Sequence, residues 1–170
     1  MYISFVQLAE LPGAQELSQV ASTEHQAVVD PQLMEITLRD GDRTSYDADE
    51  IALADAALER IGTAVTETDA LIEAYIARRV SLPLDPVPSV LVQIARAIVR
   101  YELHKHLIAG ETVHPIVRDY KDKLRLLEAI RDGKVTLGVA DPAAVDGGLG
   151  DVRFDSSEPV FGRDQLRSFR

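Results

Sequence analysis

From Asp49 onward the apolar positions of this chain recur at helical spacing, and that rhythm organises the reading. Ile51, Ala54, Leu58, Ile61, Val65, Ile72, Tyr75 and Arg79 fall on one stripe at steps of three, four and seven, which predicts a long helix. Gly62 and three nearby Thr residues weaken its middle and predict a kink or break there. Leu82-Pro83-Leu84-Asp85-Pro86-Val87-Pro88 then forces an extended, stiff connection. Val90 to Leu107 is apolar round most of its circumference, as expected of a central helix covered by others; only Gln93, Arg96, Arg100 and His104 make a polar stripe. Pro115 opens a third, amphipathic helix with Ile116, Tyr120, Leu124, Leu127 and Ile130 inward, closed by Asp132-Gly133.

The flanks read less regularly. Ser4 with Gln7 forms a capping-box pattern for a short helix, Pro12-Gly13 interrupts it, and a second short helix covers Ala14 to Val20. Asp30-Pro31 is a turn, and Gln32 to Leu38 reads as helix or strand. Arg39 to Asp49 is an Asp-rich loop leading into the long helix, and Lys134 to Val139 has the pattern of a short strand. From Ala140 the character shifts: Gly147, Gly148 and Gly150 mark a flexible link. The final stretch carries Phe161, Leu166 and Phe169 among Arg163, Asp164 and Arg167, anchors that a merely solvating tail lacks, so it reads as a docking arm. The expected architecture is therefore all-α: a small bundle over 1–139 with a long helix, a central apolar helix and an amphipathic third, and a link and docking arm over 140–170.

Composition narrows the function. The 170 residues are 46% hydrophobic but only 5% aromatic, with no Trp, so the core is built from Leu, Ile, Val and Ala. The absence of Cys excludes disulfides and thiolate chemistry. No apolar run approaches the roughly 20 residues of a membrane span, and Met1-Tyr2-Ile3-Ser4 does not open a signal peptide, so a cytoplasmic origin is expected. The net charge of −10 argues against general nucleic-acid affinity, which needs clustered Lys and Arg, yet suits a surface past which DNA slides. A helical nucleic-acid-binding regulator using Arg118, Lys121, Lys123, Arg125 and Arg131 is the alternative, blunted by the interleaved Asp119, Asp122 and Glu128.

Candidate chemistry is sparse. His104 and His106 stand two apart on a helix and cannot share a metal, which leaves His25 and His114 isolated. Asp40 to Asp47 superficially resembles a calcium loop, but Ser45 and Ile51 stand where such a loop needs Gly and Glu. An Asp-rich helix cap is the plainer reading. Gly147-Gly148-Leu149-Gly150 lacks the Lys-Ser/Thr of a phosphate cradle. Asp69 and Glu73 read as a solvated helix face. No catalytic residue, metal site or cofactor is expected. Arg96 and Arg100, one turn apart on the most apolar helix, need partners: acidic residues of the long helix such as Asp69 or Glu73, a neighbouring subunit, or a ligand.

Several segments in order resemble one family: Ile72 to Leu84, Val87-Pro88, Ile98 to His104, Tyr120 to Leu127 with Gly133 to Gly138, and Phe161 to Phe169. Met1-Tyr2 and Arg39-Asp40-Gly41-Asp42 fit as well. The chain is similar there to small proteins of Mu-like phages and prophages, encoded among the head and tail morphogenesis genes. The likeness covers most of 1–20 and 39–138 and the last dozen residues, and leaves 22–38 as an apparent insertion. The resemblance implies a helical head–tail connector, a homo-oligomeric ring of typically twelve copies at the virion neck, assembled in the host cytoplasm. Portal would lie on one side, a neck or tail-completion protein on the other, and DNA would pass through the lumen. On charge alone, Asp40, Asp42, Asp47 and Asp49 are the candidate lumen residues.

Overall fold

The computed structural model describes residues 1–22, 27–108 and 114–138. Within them lie six α-helices and no strand: α1 Phe5–Leu8, α2 Ala14–Val20, α3 Pro31–Leu38, α4 Ala48–Ile76, α5 Ser89–His104 and α6 Pro115–Arg131. The described residues are all-α, as the periodicity predicts.

Local signals place the helix ends. Ser4 accepts from the Gln7 amide while the Gln7 side chain accepts from the Ser4 amide, closing α1's first turn. A five-residue π-type turn, Ala9–Gly13, follows, with Leu11 extended at φ −152°. The Asp30 carboxylate accepts from the amides of Gln32 and Leu33 and starts α3 at Pro31. Gln32 to Leu38 is thus helix rather than strand, and Leu33, Met34, Thr37 and Leu38 are buried on one face. The span expected as an insertion therefore includes a helix built into the core.

α4, α5 and α6 form the main body. α5 packs against both of the others, in the central position its apolar circumference predicts, with Leu91, Ile94, Ala95, Ala97, Ile98 and Val99 buried. α4 runs unbroken through Gly62, contrary to the expected kink. The Thr63 and Thr66 hydroxyls donate back to the carbonyls of Glu59 and Gly62, so these residues satisfy themselves inside the helix. The N-terminal segment straps across α4: Ile3 is buried, and the Tyr2 amide donates to Asp69 at 3.0 Å. Lys134 to Gly138 is bend and irregular chain rather than strand.

Burial pushes the Tyr2 hydroxyl up to about 12, aided by the carboxylates of Glu73 and Asp69 and by a hydrogen bond to Glu73. An unfolded tyrosine releases its proton near 10, so this stabilisation is complete below pH 10 and is lost as pH rises from 10 to 12. The denaturation midpoint is expected to fall more steeply across that window in the native chain than in Tyr2→Phe; equal slopes would refute it.

Two glycines behave oppositely. Gly133 ends α6 at φ +74°, and a Cβ there would lie 2.6 Å from an Arg79 Nη. That guanidinium donates through Nε to the Arg131 carbonyl and caps the helix. Gly133→Ala is expected to cost about 1–2 kcal/mol from left-handed strain, and to push Arg79 off its carbonyl. At Gly62 a Cβ would meet only the Phe5 ring at 3.7 Å, so Gly62→Ala is expected to stabilise by about 0.5–1 kcal/mol. Urea midpoints moving in opposite directions are the check.

Candidate functional site

Arg100 finds its partner in the N-terminal segment, not on α4. Its Nε and one terminal nitrogen donate to the two oxygens of Glu16 on α2, at 2.5 and 2.8 Å. The expected pairing with Asp69 or Glu73 fails because the N-terminal strap occupies both: Tyr2 engages Asp69 through its amide and Glu73 through its hydroxyl, and the Met1 nitrogen lies 3.4 Å from Asp69. These carboxylates are accordingly a clamp for the chain's first residues rather than only a solvated face.

His104, one turn beyond Arg100, joins the cluster. Its Nδ1 donates to the Arg100 carbonyl at 2.7 Å, since a carbonyl can only accept, and its Nε2 sits 3.4 Å from Glu16. Arg96 differs: its Nε is buried without a hydrogen-bond partner among the described residues. It lines an open cleft of about 370 Å³ with Leu11, Gln93, Arg100, Asp119 and Lys123. The structure thus brings Arg96 and Arg100 to one cleft but gives a partner only to Arg100. Glu16 carried no signal in sequence, because nothing local to it marks a residue that closes on a helix 84 positions away.

The four acidic positions cluster where α3 passes into α4, and each shapes that connection. Asp40 takes the left-handed conformation (φ +53°) that lets the Gly41 amide reach back to the Ile36 carbonyl and end α3. The Asp42 carboxylate accepts from the Thr44 amide, which holds its pKa below the usual carboxylate range. Asp47 caps α4, its amide donating to Glu50, and Asp49 lies in the first turn, where negative charge opposes the helix dipole. All four are exposed.

On α6 the basic outer face is broken by its own acids: Arg125 pairs with Asp122, and Arg131 and Lys134 both pair with Asp132. His114 caps the helix by accepting from the Ile116 amide. Tyr120 stacks on Tyr101 of α5, ring centres 3.9 Å apart. Among the described residues no group of three or more His, Asp or Glu is placed to hold a metal, and no helix is long and apolar enough to cross a membrane. The docking residues Phe161, Arg163, Asp164, Leu166, Arg167 and Phe169 lie outside the described residues.

Fold and surface together define a small all-α domain, strapped by its own N-terminus, with charged clefts and caps on its exterior. Comparison with known proteins places that domain. The chain belongs to the Bacteriophage Mu, Gp36 family, whose model matches residues 2–154. It is similar to Gene product J of Escherichia phage Mu, 35% identical over 103 residues, which cover 60% of this chain and 70% of that protein. It is also similar to the Mu-like prophage FluMu protein gp36 of Haemophilus influenzae, 28% identical over 110 residues, 65% of this chain and 75% of that protein. No solved structure matches it. This is a protein of the Mu-like phage type.

Proposed function

We propose that the protein is a non-catalytic morphogenetic component of a Mu-like phage, a head–tail connector that forms a ring below the portal at the virion neck. The observation that carries the reading is membership of the Mu Gp36 family across residues 2–154. Within that family, the resemblance to connectors encoded among head and tail genes supplies the specific role. The helical body supports it, since its charges sit in surface clefts and caps suited to neighbours. In this reading DNA passes the exposed acids Asp40, Asp42, Asp47 and Asp49 without sequence-specific contact, favoured by a net charge of −10.

The pairing of Arg125 with Asp122 and of Arg131 with Asp132 weighs against the nucleic-acid regulator, because a guanidinium held by a neighbouring Asp has less field to offer a phosphate. Light scattering and negative-stain imaging of the purified protein, alone and mixed with portal, test the connector. A ring, or a ring seated on portal, is the expected result. A monomer that ignores portal would overturn it.

A further inference from the structure

An open groove of about 760 Å³ runs along α4 beside the N-terminal strap. Its apolar lining includes Met1, Phe5 and Leu58, with Met1 64% exposed, and Gly62 puts no side chain into it. Every charged side chain that lines it is a carboxylate; Asp55 is paired with Arg43, while Glu59 and Glu67 are exposed. A groove of this kind selects an apolar, cationic segment: large side chains to leave water on its lining, and guanidinium groups to meet the acids.

The chain carries such a segment. Residues 161–170 hold Phe161, Leu166 and Phe169, with three Arg against one Asp. The 22 residues from 139 to 160 separate it from the last described turn, and fully extended they span up to roughly 75 Å, ample to reach an adjacent molecule. We propose that the α4 groove receives the Phe161–Arg170 segment of a second copy, its aromatic and Leu side chains against Phe5 and Leu58 and its Arg residues against Glu59 and Glu67. This rests on the ring reading and gives the ring a contact: groove on one side and arm on the other is a head-to-tail interface, which closes when the rotation allows.

The absence of Cys makes the test clean. Thr63, exposed on the groove, is changed in one full-length chain (Thr63→Cys) and Ser168, between Arg167 and Phe169, in another (Ser168→Cys). The two are mixed and treated with a short thiol crosslinker, with light scattering on the same sample, and portal is added if the protein is monomeric alone. The expected result is a crosslinked heterodimer whose yield drops about tenfold in Glu59→Lys/Glu67→Lys. A chain carrying both cysteines that crosslinks only within itself, with no heterodimer from the mixture, overturns the second-copy contact. No crosslink in a sample that forms rings overturns the groove and leaves the connector standing. No crosslink from protein that stays monomeric with portal sinks both.

Discussion

Ile94→Ala is expected to remove about 3–4 kcal/mol of stability, the largest loss from any single truncation considered. Ile94 is fully buried on α5, the helix that packs on both α4 and α6, so deleting three carbons opens a void inside the core. The transfer free energy of the lost methyl groups accounts for part of the cost. The unfilled cavity supplies the rest, because helices packed on a shared core relax only partly into it. Against a total of about 5–15 kcal/mol for a domain, this takes the protein near its threshold. Val92→Ala, half-buried on the same helix, is expected to cost about 1 kcal/mol. Urea denaturation of both variants is the check, and a cost at Ile94 no larger than at Val92 would show that α5 is not central.

What the sequence predicts well is what depends on near neighbours along the chain. The 3.6 period gives α4, α5 and α6, and Ser4 with Gln7, Pro115 and Gly133 mark ends that the structure keeps. Gln32 to Leu38 is ambiguous because Ile36 and Thr37 favour strands while the spacing of Leu33, Met34 and Leu38 suits a helix. The Asp30 cap and burial against α2 and α4 decide it. The break expected at Gly62 does not occur: Thr63 and Thr66 bond back to helix carbonyls, and the space left by the missing side chain lies against Phe5 from the N-terminal strap.

The candidate sites follow the same division. The acidic run reads correctly as a helix cap because capping is local. The partner of Arg100 does not, because Glu16 meets it only once the π-type turn has packed against α5 and brought the start of α2 within reach. The strap that occupies Asp69 is likewise far in sequence, 67 positions, from what it binds. Long-range electrostatic pairing depends on which surfaces meet, and helical periodicity alone leaves that choice open.

Truncation after Asp141 is expected to leave stability nearly unchanged and to abolish assembly. Among the described residues the buried core runs from Tyr2 to Ile130, and the partly buried contributor to it beyond α6 is Leu137, so the body keeps its described apolar contacts. Surface losses away from such contacts shift stability by no more than about 0.5 kcal/mol. Assembly is different, because Phe161, Leu166 and Phe169 leave with the arm, and buried aromatic anchors dominate the energy of a protein interface. Without them the truncated chain should be monomeric in light scattering, with portal present, at concentrations where the full chain forms rings. An unchanged denaturation midpoint together with lost assembly would separate folding from docking. Rings formed by the truncated protein would instead assign self-association to the helical body, with the Arg96 cleft and the exposed acids before α4 as its opposite charges.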